Sequence, residues 1–342
     1  MAARCCIVSG LHFPLLSSLC CLVLMRTRRW VMCLSLLAAV AAGKAEERFD
    51  FSGPGMATTF RIACYAKDRA LAEKAVAACF ERIAQLDAVC TDYDPTSELM
   101  RLCAPEAARP MAVSAELFGV LERAQALAVA TDGGFHPACG PLTQLWRRTR
   151  RTGKLPPVER VQRGLEAAAR WREIRLEPAT REVTLPVGTL LDLGGIAKGY
   201  AADACLRVLR EHGLERAVVQ AGGDTAVGKP PPGKQGWEVK LRTFTRPGED
   251  DDLRVLTLSD CAVSTSGDLY QFLEIDGVRY SHIVSPVTGL GLTERIACSV
   301  IAADGATSDA LATAMCVLGP ERGQALADKL GVQVLFALPP KP

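Results

Sequence analysis

An α+β fold, with a mixed, largely antiparallel sheet flanked by helices, is what this sequence predicts. Apolar residues recur with helical spacing between Asp68 and Arg170. Short apolar runs separated by glycine turns dominate from Ile174 to Ile301. Helical and extended patterns also mix without the strict alternation of a doubly wound parallel sheet.

Taken in order, Phe51 to Tyr65 reads as strand, interrupted at Gly53-Pro54-Gly55. Asp68 caps a helix whose stripe is Val76, Cys79, Ile83, Leu86 and Cys90. Ser114 opens a second helix with Leu117, Val120, Leu121, Ala124 and Leu127 on one face, stopped at Gly133-Gly134. A short helix follows over Val158 to Arg170. Strands are expected at Val218 to Gln220, Trp237 to Leu241, Val255 to Leu258 and Tyr280 to Val284. The run Pro230-Pro231-Pro232-Gly233 is a stiff loop between two of them. These patterns place a helix-rich lobe at about residues 50–170 and a strand-rich lobe after it.

Hydrophobic residues make up 49% of the 342, which excludes a disordered chain, and the net charge of +2 argues against nucleic-acid binding as the main function. The basic run Trp146 to Arg151 is the local exception: a solvated helix end with its loop, or a surface for an acidic partner. Residues 1–45 read as a leader: Arg26, Arg28 and Arg29 precede the apolar run Val31 to Ala42, and small residues follow. Met25 stands where translation could begin. The expectation is an exported protein whose residues 46–342 form one domain. Neither Cys20 nor Cys33 follows a convincing acylation motif, and nine of the 14 cysteines lie beyond the leader with no C-x-x-C pair. Cys79, Cys90 and Cys205 occupy apolar helical positions and read as buried hydrophobes, with disulfides open in an oxidising compartment.

Five segments carry the chemistry. In Thr307 to Ala314, a helix start capped by Thr or Ser, Asp309 and Thr313 are four residues apart, so their oxygens point the same way one turn apart. A carboxylate beside a hydroxyl suits a hard cation such as Mg²⁺, although an Asp near a helix start needs no ligand. Asp192 to Asp203 joins a strand to a helix through Gly194-Gly195, and Ala221 to Asp224 and Ser264 to Asp268 are two further polar bends. Each alone is a turn; three in one domain suggest a shared ligand with phosphates. His282, beside Tyr280 in the expected strand, is either a hydrogen-bonded core histidine or a proton acceptor.

In this order the segments resemble the ApbE family of flavinyltransferases, the FAD:protein FMN transferases. The matching pieces are GMATTF at 55–60, DYDPTSEL at 92–99, DGGFHPACGPLTQLW at 132–146, DLGGIAKGYAAD at 192–203, AGGD at 221–224, STSGD at 264–268, YSHIVSPVTG at 280–289 and SDALATAMCVLG at 308–319. The resemblance implies two lobes around a flavin-nucleotide cleft and Mg²⁺-dependent transfer of FMN from FAD to a Thr or Ser hydroxyl of an acceptor protein, releasing AMP. It makes Asp309 and Thr313 side-chain metal ligands and Gly195 a backbone-carbonyl ligand. It makes Met56, Tyr93, Gly134, Phe135, His136, Lys198 and His282 flavin-nucleotide contacts, with His282 and Asp309 the catalytic candidates. It also implies work in the periplasm or on the outer face of the inner membrane. The acceptor would be a flavoprotein subunit of a membrane electron-transport complex. His136 and Ser285 stand where the family typically has Asp. Two alternatives stay open: an FAD pyrophosphatase giving FMN and AMP, and a flavin-binding protein without turnover.

Overall fold

The computed structural model describes residues 45–104, 109–242, 244, 253–269 and 271–339. The expected leader lies outside them, apart from its last residue. Residues 46–342 make one compact unit.

Strands β1 (Glu47–Gly55) and β2 (Thr58–Ala66) form a hairpin. Its two turn residues, Met56 and Ala57, have φ of 47° and 56°, the left-handed backbone of the tightest hairpin turns. Pairing runs unbroken from Glu47 opposite Ala66 to Gly55 opposite Thr58, so Gly53-Pro54-Gly55 does not interrupt the strand as expected. β1 is an edge strand, where proline is tolerated, and its glycines admit close neighbours. A Cβ on Gly55 would stand 2.4 Å from Ile83.

Helix α1 (Arg69–Cys90) begins at Asp68, whose carboxylate accepts from Leu71 N–H, and buries the five stripe residues its spacing predicts. After the short α2 (Glu98–Leu102), α3 (Ala115–Ala130) starts at Ser114, whose hydroxyl accepts from Leu117 N–H. A 3₁₀ turn over Pro137–Cys139 leads into α4 (Gly140–Thr152), closed by left-handed Gly153. α5 (Val158–Ala168) and a 3₁₀ turn (Ala169–Glu173) follow. β3 (Met111–Ala112), β4 (Arg175–Glu177) and β5 (Glu182–Thr184) make a small sheet in the order β3-β5-β4.

The main sheet adds β6 (Ala217–Ala221), β7 (Asp224–Val227), β10 (Cys261–Gly267), β13 (Ala297–Ala302) and β14 (Gln333–Ala337). Its order is β1-β2-β6-β7-β10-β13-β14, with every neighbouring pair antiparallel. One face carries Phe60, Ile62, Val219, Ala226 and Ala262 against α1 and α6 (Ala197–Glu211). The opposite face carries Ala63, Val218, Val227 and Val263, covered by Trp237, Val239 and Leu241 of the hairpin β8 (Trp237–Arg242) and β9 (Leu253–Leu258). A further core joins α3, β13 and α7 (Gly305–Leu330).

Three sequence expectations are corrected here. β1 and β2 lie in the same sheet as the strands after residue 217, so the lobes do not divide near residue 170. The expected strand over Tyr280 to Val284 is shorter: β12 (Val278–Ser281) pairs with β11 (Phe272–Ile275) and stops before His282. The cap of α7 is Asp304, not Thr307 or Ser308; its carboxylate accepts from Thr307 N–H at 2.8 Å, which puts Asp309 and Thr313 inside the helix. All nine cysteines of the compact unit are free thiols. Among the described residues no helix is long and apolar enough to cross a membrane.

Candidate active site

Two glycines bring α6 and α7 together. A Cβ on Gly199 would stand 2.0 Å from the Gly305 carbonyl oxygen, and one on Gly305 would stand 2.5 Å from that of Gly199. Asp203 locks the crossing, accepting from Gly305 N–H at 2.7 Å and Ala306 N–H at 3.0 Å. Burial pushes its carboxyl up to about 6, against the pull of those two amides.

The crossing delivers Asp309 to α6. Its Oδ2 accepts from Gly199 N–H at 3.2 Å and from Lys198 Nζ at 3.3 Å. Lys198 Nζ also reaches the Gly194 carbonyl at 3.2 Å and lies 3.0 Å from Asp224 Oδ2. Asp224 opens β7 directly after the Gly222-Gly223 bend, and its side chain is buried. Burial pushes Asp309 up to about 7, and the Asp224 carboxylate adds to the push while Lys198 opposes it. Burial pulls Lys198 down, but the two carboxylates outweigh it and hold the ammonium above its ordinary range. Lys198 is therefore charged.

Thr313 sits one turn beyond Asp309, with its hydroxyl 3.3 Å from Ser266 Oγ. A Cβ on Gly195 would lie 3.4 Å from that hydroxyl and 3.3 Å from the Phe135 ring. Ser264 and Ser308 share a 2.7 Å hydroxyl contact; the expected bend at 264–268 is instead the end of strand β10, paired with β13 through Gly267, and this end lines α7. The oxygens assembled are carboxylate, hydroxyl and backbone carbonyl, a set suited to Mg²⁺. Asp224 Oδ2, buried beside them, is engaged by the Lys198 ammonium at 3.0 Å. Among the described residues no three His, Cys, Asp or Glu side chains gather as a metal group. These residues fit a hard cation and not a nitrogen–sulfur cage.

The remaining sequence-selected residues divide. Met56 is held at its turn by its N–H to Asp87 Oδ2 at 3.1 Å. Tyr93 is 71% exposed, with the Arg147 guanidinium 4.3 Å from its ring centre. Arg147 bridges Asp92 at 2.5 Å and Asp192 at 2.8 Å, and Asp192 accepts from Gly194 N–H at 2.7 Å, which ties Tyr93 to the glycine loop. Gly134 donates to the Thr131 carbonyl at 3.0 Å, and Phe135 packs on Gly195. His136, next in sequence, turns into the core and stacks on Trp171, with ring centres 5.8 Å apart. Burial, with Arg172 adding, drives its pKa down to about 4. His282 is half-buried, with Nδ1 3.3 Å from the Gln271 carbonyl. Burial pulls its pKa down; the Gln271 carbonyl opposes this, and Arg150 and Lys198 reinforce it. Tyr280, its expected companion, packs on Trp146 instead.

A profile of the ApbE family matches residues 56–336. The chain belongs to the ApbE family. It is 34% identical to the FAD:protein FMN transferase of Treponema pallidum over 306 residues, 83% of each chain. It is 29% identical to that of Vibrio cholerae over 315 residues, 90% of this chain and 93% of the relative. Its fold matches the flavin transferase ApbE of V. cholerae with a TM-score of 0.77 at 26% identity, covering 85% of this chain and 93% of the other. The ApbE protein of Thermotoga maritima superposes with a TM-score of 0.75 at 28% identity, over 85% of this chain and 94% of that one.

Within this ApbE fold the structure brings Asp309, Thr313, Gly195, Lys198 and Phe135 together and sets His282 in the field of Lys198. It sends the His136 side chain elsewhere. Ser285 spends its hydroxyl on a local turn, accepting from Val287 and Thr288 N–H at 3.2 Å each, a role a carboxylate could also fill. Sequence reasoning did not assign Asp224, Asp203 or the Asp92–Arg147–Asp192 bridge. For Asp224 a signal existed: an acid directly after paired glycines at a strand end.

Proposed function

We propose that this chain is an FAD:protein FMN transferase. The acceptor hydroxyl oxygen of a Thr or Ser attacks the FMN-side phosphorus of FAD, a phosphoester bond forms, the pyrophosphate bridge breaks and AMP leaves. The observation that carries the reading is the buried Asp309–Lys198–Asp224 cluster, set among two glycine bends and the hydroxyl-bearing end of β10. Asp309, Thr313 and the Gly195 carbonyl would hold Mg²⁺, which when bound supplies positive charge against the oxygen of the departing AMP. Lys198 binds pyrophosphate oxygens from the cluster side, and the bends and the β10 end offer N–H and O–H groups. His282, kept neutral by burial, takes the acceptor proton; Asp309 is the competing base. Met56, Tyr93, Gly134 and Phe135 contact the flavin nucleotide, and His136 supports that wall from behind.

Export, through a leader within residues 1–45, places the reaction in the periplasm or on the outer face of the inner membrane. The acceptor is then a flavoprotein subunit of a membrane electron-transport complex. The mature chain incubated with FAD, Mg²⁺ and an acceptor carrying an exposed Thr tests the reading on a denaturing gel. A fluorescent acceptor band is the expected result. Free FMN alone would make the protein a pyrophosphatase, and bound intact FAD a carrier.

A further inference from the structure

Beside the glycine loop lies a groove of about 1080 Å³, walled by α4 and α5 and floored by Pro141, Leu145 and Leu190. Its charge is one-sided. Arg148 and Arg151, three residues apart on α4, face it from one wall, and Arg160 and Arg163 do the same from α5. All four are exposed, and among the described residues none of them has an ion-pair partner. The acids Glu159 and Glu166 of α5 do not line the groove, and its one carboxylate, Asp92, is already held by Arg147. For a chain of net charge +2, four unpaired arginines in one concavity are a local concentration of positive charge.

We infer that this groove docks an acidic segment of the acceptor protein and so presents the neighbouring hydroxyl to the active site; the inference rests on the transferase reading above. Its inner edge is formed by Tyr93 and the Arg147–Asp92 pair, and Arg147 also grips Asp192, whose carboxylate holds Gly194. A chain lying in the groove therefore ends beside the loop that carries Gly195. The layout favours a peptide: Pro141, Leu145 and Leu190 lie between arginines of two helices, so an extended acidic chain can pair its carboxylates with both rows while covering the apolar residues. Exposed arginines act through long-range attraction and on-rate, which suits an acceptor that must leave once modified.

The test uses two synthetic peptides, one with a Thr flanked by glutamates and a twin with glutamines, together with the full chain and its R148E/R151E/R160E/R163E variant. Four exposed pairs set the expected scale at about tenfold. Wild-type KM should be lower by that factor for the glutamate peptide, and high salt should erase the difference. The variant should lose the preference while keeping its KM for FAD and its melting temperature. Equal KM values for the two peptides overturn the inference, as does a changed KM for FAD. Fluorescence anisotropy of the labelled peptides reads docking without turnover. If neither peptide is flavinylated yet the glutamate peptide binds wild type alone, the groove stands and the transferase reading falls. Binding of anionic vesicles but not of the glutamate peptide would assign the groove to lipid and overturn the inference.

Discussion

The α6–α7 crossing and the segment from Asp132 to Cys139 both border Gly195, yet they treat buried titratable groups in opposite ways. At the crossing, Asp309 and Asp224 are buried around one ammonium, with a backbone amide also on Asp309. In the segment, His136 is equally buried but lies on Trp171 beside Cys139 and gives up its charge. Both stretches occupy family-matched positions. The difference teaches that burial of an ionisable group marks chemistry where counter-charge accompanies it, and marks packing where an aromatic ring does.

The sharpest way to break the crossing is Gly199→Ala. The new Cβ meets backbone, not a flexible side-chain end, so α6 and α7 must separate. A loss of about 3 kcal/mol is expected in urea unfolding, together with loss of transfer as Asp309 leaves Gly199 N–H. Unchanged stability would show that the helices have room the structure denies them.

His136→Phe sharpens the other half. In the native chain, unfolding lets His136 take a proton at pH values between its unfolded pKa of 6.5 and its folded value of about 4. The unfolded state binds more protons across that window, so stability is full above it and lost as pH falls through it, by about 3 kcal/mol. The raised pKa of Asp203 gives the opposite slope in part of the same range, so the comparison must be variant against wild type. The variant should keep its neutral-pH stability and lose that acid-side fall. An identical pH dependence in both proteins would mean His136 is not held neutral.

Much of this was legible in the residues. Asp68 and Ser114 cap the helices their positions imply, because a side-chain acceptor ahead of an apolar stripe is a local signal. The stripe Val76 to Cys90 is buried as its spacing requires. Asp309 and Thr313 could be paired because both lie on one helix. What local pattern could not reveal was the partner across the sheet or across a helix crossing. Lys198 to Asp224, and Asp203 to the amides of α7, join positions 26 and 102 residues or more apart. The true cap of α7 was hidden because Asp304 precedes Gly305, a poor helix former whose place is set by contact with Gly199. His136 reads as a ligand contact only through the family resemblance of its segment, which does not resolve that Phe135 faces Gly195 while the adjacent His136 stacks on Trp171.

The most direct test of the contrast is transfer of FMN to an acceptor by Asp309→Ala and His136→Phe, measured side by side with unfolding curves. Removing a buried carboxylate that Asp224 repels should leave Asp309→Ala folded while transfer falls on the order of a thousandfold. His136→Phe should transfer at close to the wild-type rate. A folded Asp309→Ala that still transfers FMN, or a folded His136→Phe that does not, would contradict the account.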